Sequence, residues 1–292
     1  MSAQSTFPCN SHVVNVASIP DLSPFRYPGG KTWLVPCIRQ WLGSKPRKPS
    51  LFVEPFVGGA IVSLTVANED LASHVVMVEL DSEVAAVWET ILNAKNGGRW
   101  LANKITEFKM NSTTVEHELA KSGLMGRSLA FQTILKNRVN RGGILAAGAG
   151  LINRGENDKG LGSRWYPVTL QRRILDILKL RNKITFNRGD GLEAIRQRVH
   201  NSNTVFFIDP PYTAAGKKTG ARLYTHHEID HNELFRVVST LSGDFLMTYN
   251  DSSVVRRLAD SYGFQILSVT MKNTHHKKQR ELIIGRDLSW YE

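Results

Sequence analysis

An uninterrupted apolar run that ends in an acid and two prolines constrains the fold of this 292-residue chain more than any other stretch. Residues 205–208 read Val-Phe-Phe-Ile, and Asp209, Pro210, Pro211 and Tyr212 follow directly. Such a run is typical of a central parallel strand that is buried on both faces. The residue before a proline is extended, and two prolines remove two backbone N–H donors. The Asp209 carboxylate, the Pro210 carbonyl and the Tyr212 ring are therefore expected to meet in a cleft beyond the strand.

This corner suits chemistry at the exocyclic amino group of a nucleobase. The lone pair of that nitrogen is delocalised into the ring, so the amine is a poor nucleophile. A carboxylate and a carbonyl can each accept one of its hydrogens and favour a pyramidal nitrogen, while Tyr212 stacks on the base. The alternative is that Asp209 only caps a turn after a core strand.

A second feature, residues 25–31, reads Phe-Arg-Tyr-Pro-Gly-Gly-Lys and precedes a stretch with helical spacing of apolar residues. Two glycines and Lys31 at a helix start can hold an anion. A P-loop is a poor match because Phe25 stands where that motif needs glycine. The remaining alternative is a glycine turn with a solvated Lys31.

A strand, a glycine turn and a helix are predicted over residues 51–67, with Phe56, Gly58 and Gly59 in the turn. A second buried strand ends at Glu79, and Asp81 is expected to cap the helix that follows. An acid at the end of the second strand is typical of folds that bind a nucleoside through its ribose.

These motifs occur in the order that characterises the Dam-like family of DNA adenine methyltransferases, which the chain resembles from about residue 25 to residue 285. The resemblance implies S-adenosylmethionine as the cofactor. It places Tyr27 and Lys31 between cofactor and target base, and assigns further cofactor contacts to Phe56, Gly58, Gly59, Glu79, Asp190 and Asp209. Where the family often has Asp-Phe beside the cofactor adenine, this chain has Asp190 and Gly191.

The middle of the chain carries most of the positive charge. Residues 121–181 hold twelve Lys or Arg against three acids, a net of +9. Arg and Asn read base edges, and Lys and Arg neutralise phosphates. The predicted DNA contacts here are Lys136, Asn137, Arg138, Asn140, Arg141, Arg154 and Arg164. The alternative is a solvated basic face.

A cationic loop follows the acidic corner, and its Lys217 and Lys218 are expected to contact the phosphates of an extruded nucleotide. The histidines at 226, 227 and 231 lack a convincing ligand spacing, and the reaction requires no metal.

The net charge of +11 and the pI near 9.7 favour a polyanionic partner, here double-stranded DNA. Two cysteines are too few for a disulfide framework. The first residues lack a signal-peptide pattern and no segment approaches membrane-spanning length, so a cytoplasmic protein without membrane contact is expected.

We therefore expect an α/β fold with a doubly wound, mostly parallel, Rossmann-like sheet. The predicted parts are an N-terminal arm over 1–20, a catalytic domain over 21–95 and 183–292, and an inserted helical and loop-rich target-recognition region over 96–182. The expected activity is methyl transfer to the N6 amine of a flipped-out adenine in DNA, in a restriction-modification system with a cognate endonuclease or as an orphan or phage enzyme. Cytosine-N4 DNA methylation, RNA amino-methylation and a non-enzymatic DNA-binding module are the alternatives.

Overall fold

The fold is built on seven strands that form one sheet, as seen in a computed structural model that describes residues 19–26, 29–146, 148–155, 159–211, 229–272 and 278–291. In chain order the strands are β1 (Leu51–Glu54), β2 (His74–Glu79), β3 (Ile184–Arg188), β4 (Thr204–Ile208), β5 (Asp244–Asn250), β6 (Gln265–Lys272) and β7 (Lys278–Gly285). Their spatial order is β3-β2-β1-β4-β5-β7-β6. The first five strands run parallel, and β7 is antiparallel to both β5 and β6. The predicted doubly wound, mostly parallel α/β fold is confirmed.

Helices connect and cover these strands. They are α1 (Val35–Gly43), α2 (Ile61–Asn68), α3 (Ser82–Trp88), α4 (Gly97–Glu107), α5 (Ser112–Leu119), α6 (Gly126–Val139), α7 (Pro167–Lys179), α8 (Gly191–Arg196), α9 (His231–Ser239) and α10 (Ser253–Ser261). Among the described residues, side-chain oxygens cap five of them at the N-terminus: Asp81, Asn111, Asp190, Asp230 and Ser252 each accept a backbone N–H of the first turn. The prediction that Asp81 is a helix cap is thus confirmed.

Alternate side chains of the parallel strands enter two different apolar clusters. Phe52 and Phe207 belong to the cluster that also contains α1 to α4, whereas Val53 and Phe206 belong to the cluster with α9 and α10. Successive residues of a strand point to opposite faces, so a sheet covered on both faces needs continuous apolar strands. All five residues of β4 are buried, as the sequence predicted.

The sheet order reverses between β1 and β4. From β1 the chain proceeds outward through β2 and β3, and it then returns to place β4 on the other side of β1. Connections leave the two strands in opposite directions at this point, which opens a crevice beyond their carboxyl ends. Glu54 ends β1 and Asp209 follows β4, so both acids lie at this crevice.

The helices within residues 96–182 share the apolar cluster of the sheet. Leu101 of α4, Phe131 of α6 and Ile174 of α7 belong to the same cluster as Phe52 of β1. The division into a catalytic domain and an inserted recognition region remains a prediction. Among the described residues, none of the helices has the combination of length and apolar character that a membrane span requires.

Candidate active site

A cavity of about 420 Å³ lies beyond the carboxyl ends of β1, β2 and β4. Its walls come from the segment before α1, from the turn after β1, and from the ends of β2, β3 and β4. The lining includes the predicted site residues Lys31, Phe56, Gly58, Gly59, Glu79, Asp190, Asp209, Pro210 and Pro211. Motifs that are far apart in the sequence are therefore brought together.

The glycine turn after β1 forms the floor of the cavity. Gly58 has a φ of 45°, in the left-handed region that favours glycine, and its N–H donates to Glu79 Oε2 at 2.8 Å. The Trp88 indole donates to the Gly58 carbonyl oxygen at 2.9 Å. These two bonds attach the turn to β2 and to α3, so its backbone is held in place at the cavity wall.

The Glu79 carboxylate is held at both oxygens. Its Oε1 accepts the Asp81 N–H at 2.9 Å while Oε2 accepts that of Gly58. Burial raises the pKa of Glu79 to about 7, against the lowering effect of these two backbone donors. The side chain still lines the cavity.

Asp190 and Gly191 close the cavity at the end of β3. Asp190 accepts the Glu193 N–H at 2.9 Å and so caps α8 while lining the cavity. A Cβ on Gly191 would lie 2.3 Å from the Pro55 carbonyl oxygen and 2.6 Å from the Phe56 ring. The Phe56 ring therefore lies directly against Gly191, which explains why this position has no side chain.

Asp209 is fixed by groups from two other parts of the chain. Thr248 Oγ1 of β5 donates to Asp209 Oδ1 at 2.7 Å, and Lys31 Nζ lies 2.9 Å from Oδ2. Sequence reasoning missed Thr248. Because the parallel register pairs Ile208 with Met247, the residue after Met247 lies beside Asp209. A polar residue at that position could have indicated the contact.

The Lys31 ammonium is buried, with only 3% of its side chain exposed. Besides Asp209 it contacts the Gly29 carbonyl oxygen at 2.8 Å and lies 3.7 Å from Glu281 Oε2. Buried ammonium groups require such partners because desolvation is costly. The alternative of a solvated lysine after a glycine turn is therefore wrong.

Glu54 is a further buried acid at this end of the sheet. Its Oε2 accepts the Ser63 N–H of α2 at 2.9 Å. Burial raises the pKa of Glu54 to about 8; the Ser63 hydrogen bonds and Lys31 oppose this, and Asp209 adds to it. The sequence predicted a strand and a glycine turn around Glu54 but did not indicate that its carboxylate is buried and bonded to α2.

Three predicted DNA contacts lie inside the protein instead. Asn137 is fully buried: its Oδ1 accepts the Arg26 N–H at 2.8 Å, and its Nδ2 donates to the carbonyl oxygens of Arg26 and Gly143 at 2.9 and 2.7 Å. Buried Arg138 donates to the Pro24 carbonyl oxygen, and buried Asn140 donates to the Ile144 carbonyl oxygen at 2.7 Å. The prediction that these side chains read bases is corrected, because their polar groups hold the segment before Lys31 and the loop after α6.

Burial lowers the pKa of Arg138 to about 9, with repulsion from Arg173 and Arg26 contributing. Lys136 also has an internal partner, since its Nζ lies 2.8 Å from Glu83 Oε1 on α3. Sequence reasoning missed these roles because an Asn-Arg pair does not show by itself whether its side chains are buried or exposed.

The other predicted contacts have different outcomes. Arg141 and Arg154 are exposed, Arg164 is partly exposed, and Arg141 Nε donates to the Leu151 carbonyl oxygen at 3.0 Å. Tyr27, Tyr212, Lys217 and Lys218 lie outside the described residues.

Comparison with known proteins assigns the chain to a family. The model of the D12 class N6 adenine-specific DNA methyltransferases matches residues 27–118 and 156–275, which is most of the chain. No curated protein sequence matches it.

Among solved structures, the chain is similar in fold to the rRNA methyltransferase aviRa from Streptomyces viridochromogenes, with 11% identity and a TM-score of 0.43 over 96% of this chain and 97% of that one. It is also similar to a precorrin-6y C5,15-methyltransferase from Geobacter metallireducens GS-15, with 10% identity and a TM-score of 0.35 over 85% and 84% of the two chains. The chain, in which Asp209 lines a cavity at the reversal of the sheet order, belongs to the D12 class of N6 adenine-specific DNA methyltransferases.

Proposed function

We propose that the chain transfers a methyl group from S-adenosylmethionine to the exocyclic N6 amine of adenine in double-stranded DNA. The observation that carries the proposal is the placement of Asp209. Its carboxylate stands at the sheet reversal, held by Thr248 and Lys31, and borders the same cavity as the glycine turn and Glu79.

The cavity suits the methyl donor that the family uses. Its volume of about 420 Å³ lies within the range of roughly 300–1,000 Å³ typical of small-molecule sites. We expect Glu79 to accept hydrogen bonds from the ribose and the turn at Gly58 and Gly59 to approach the methionyl part closely. Lys31, Phe56 and Asp190 line the same space. S-adenosylmethionine supplies a methyl group activated by a positively charged sulfur.

Asp209 would orient the amine for attack. Its carboxylate and the Pro210 carbonyl accept the two amine hydrogens, which directs the nitrogen lone pair towards the methyl carbon. As the new N–C bond forms, the S–C bond breaks and the sulfur becomes neutral. The nitrogen becomes positively charged and gives up one proton, which Asp209 is placed to accept. Deprotonation before attack is not required.

Delivery of the base rests on the positive charge of the chain. The net charge of +11 favours a duplex, and an adenine inside a duplex has to leave the stack to reach Asp209. We assign phosphate or base contacts to the exposed Arg141 and Arg154 and to Arg164. Lys217 and Lys218 keep this role as a prediction.

A methyl-transfer assay tests the proposal. Purified protein is incubated with S-adenosylmethionine labelled in the methyl group and with duplex DNA or RNA, and the modified nucleoside is identified after hydrolysis. N6-methyladenine in DNA is expected. A label found only in cytosine or RNA would replace the proposal with one of those activities, and calorimetry that finds no S-adenosylmethionine binding would favour a DNA-binding module.

Asp209→Ala should lower the rate of methyl transfer by at least about 100-fold, since the amine loses its charged acceptor. DNA affinity should remain near that of the unsubstituted protein. Asp260→Ala, which changes an exposed acid of α10, is the matched control and should retain full activity. Turnover by the Asp209 variant at the rate of the control would remove Asp209 from catalysis.

A further inference from the structure

Glu281 is a buried acid beside the proposed catalytic group, and the mechanism above does not use it. It lies on β7 with 8% of its side chain exposed, and its Oε2 is 3.7 Å from Lys31 Nζ. Among the described residues, no hydrogen-bond donor reaches this oxygen. A buried carboxylate oxygen without a donor is costly, so an acid at this position requires an explanation.

The Lys31 ammonium lies between two carboxylates in this arrangement. It is 2.9 Å from Asp209 Oδ2 and 3.7 Å from Glu281 Oε2, while the Gly29 carbonyl oxygen holds it at 2.8 Å. A charge-assisted N–H···O bond is about 2.7–2.9 Å long. A displacement of about 1 Å would therefore convert the longer contact to Glu281 into a hydrogen bond.

Such a displacement has a chemical reason. Asp209 Oδ1 accepts from Thr248 and Oδ2 faces Lys31, so both oxygens already interact with a donor. The ammonium also neutralises the charge that should attract the amine hydrogens. An incoming amine would bind Asp209 more strongly if Lys31 moved away, and a buried ammonium can move only towards another acceptor.

We propose that Glu281 is a positioning residue that takes the Lys31 ammonium when the target amine binds Asp209. This inference rests on the proposed function, because it assigns the incoming donor to the target base. Lys31 stays paired throughout, and Asp209 Oδ2 becomes available at the moment when the amine needs an acceptor.

The pKa of Glu281 agrees with an acceptor that gains its charge near neutral pH. Burial raises the pKa of Glu281 to about 7; Lys31 opposes this shift and Asp209 adds to it. Lys31 precedes α1, Asp209 follows β4, and Thr248 on β5 bonds to Asp209. Glu54 on β1 interacts electrostatically with Lys31 and Asp209, and in the sheet Glu281 is paired with Asn250 and Val269.

A structure of the Asp209→Ala variant tests the exchange without relying on activity. With the Asp209 carboxylate removed, Lys31 Nζ is expected within about 3.2 Å of Glu281 Oε2, compared with 3.7 Å now. A separation that stays above about 3.5 Å would show that Glu281 does not accept the ammonium and would overturn the proposal.

Single-turnover kinetics of Glu281→Gln test the role in the reaction. The isosteric amide keeps the shape but provides no charge, so the methyl-transfer rate should fall at least about tenfold while the KM for S-adenosylmethionine changes by less than about threefold. The rate of the unsubstituted protein should rise with pH through an inflection near 7, as Glu281 ionises. The rise should be smaller in the variant, because only the contribution of Glu281 is removed and Glu79, whose pKa is also about 7, remains in both proteins.

Glu107→Gln removes an exposed acid of α4 and is the matched control, with an unchanged rate and pH profile expected. A Glu281→Gln protein that is slower but shows the same relative rise with pH as the unsubstituted protein has lost only structural support, and one that equals the control in rate has lost nothing. Either result would overturn the proposal. If the unsubstituted protein methylates no nucleic acid, the proposed function fails, and the structure of the Asp209 variant still decides whether Lys31 exchanges its partner.

Discussion

At the scale of single residues, the site combines a buried lysine with acids whose ionisation burial opposes. Glu54 and Glu281 have pKa values raised to about 8 and about 7, with burial as the largest cause in both. Lys31 partly compensates both groups because its ammonium lies among them. Two acids whose charged forms are disfavoured by burial thus lie near the acid that is proposed to bind the amine, and shifted pKa values are common at functional sites.

These raised pKa values make stability depend on pH. Glu54 ionises near pH 4.5 in an unfolded chain but near pH 8 in the fold, so the folded state binds more protons between these values. Its contribution to stability is fully present below about pH 4.5 and is lost as the pH rises through about 8.

We expect Glu54→Gln to reduce the loss of unfolding free energy between pH 5 and pH 9 by a few kcal/mol, since about 1.4 kcal/mol corresponds to each pKa unit. Urea unfolding at both pH values measures the difference. Glu107→Gln serves as the control and should follow the unsubstituted protein. Parallel pH curves for the Glu54 variant and the control would contradict the expectation.

At the scale of elements, the turn after β1 and the start of α8 are fitted to each other. Gly191 is the first residue of α8, and its α-carbon faces the Pro55 carbonyl oxygen and the Phe56 ring. A backbone oxygen cannot move as a flexible side chain can, so an added methyl group would force β1 and α8 apart.

Gly191→Ala should therefore destabilise the protein by about 1–3 kcal/mol and weaken S-adenosylmethionine binding. Gly189→Ala is a close control, because a Cβ there meets nothing within 4 Å. Thermal unfolding and calorimetry of both variants measure the two effects. Equal stability of the two variants would show that the turn adapts.

The segment before Lys31 depends on α6 in a similar way. The Asn137 side chain accepts a hydrogen bond from the Arg26 N–H and donates to the carbonyl oxygens of Arg26 and Gly143. It thus pairs with the Arg26 backbone as a neighbouring strand would. Removal of its amide would break one hydrogen bond from a backbone donor and two to backbone acceptors.

Asn137→Ala is expected to lower the unfolding free energy by about 2–4 kcal/mol. Asn103→Ala on the exposed face of α4 is the control and should cost less than about 0.5 kcal/mol. Denaturant unfolding measures both. A stable Asn137 variant with reduced DNA affinity would restore the base-reading role that its burial argues against.

At the scale of the whole molecule, the positive charge and the cavity lie largely in different parts of the chain. The excess charge lies mainly in residues 121–181, whereas the cavity walls come mainly from the strand ends, the adjoining turns and the segment before α1. Phosphate contacts provide affinity without sequence information, so long-range charge can deliver a duplex before any base is recognised.

DNA affinity should fall steeply with salt, and log K should decrease linearly with log salt concentration. Replacing both Arg141 and Arg154 by Ala should reduce the magnitude of this slope by up to about 2, roughly one for each lost phosphate contact. Fluorescence anisotropy at several salt concentrations measures the slope. An Arg47→Ala variant, which changes an exposed arginine outside this region, serves as the control, and an identical slope for the two variants would remove both arginines from the interface.

Much of the fold could be predicted from local patterns. The strands that end at Glu79 and before Asp209 and the cap at Asp81 follow from apolar runs, prolines and a polar residue at a helix start. Local patterns did not show which polar residues of the basic segment 121–181 are buried and which are exposed. Asn137 and Arg138 are buried and Arg141 is exposed, although all three lie in one short polar stretch.

The sequence by itself determined which strand ends border the cavity, and which family the chain resembles, because an apolar run, a glycine turn and a proline pair act through the backbone conformation of a few neighbouring residues. Only the tertiary structure decided which groups surround Asp209 and which polar side chains face inward. Thr248 contacts Asp209 and Glu281 lies near Lys31, and both come from strands later in the chain. Local sequence patterns cannot show such contacts or the burial of a side chain, because both depend on which distant residues pack against it.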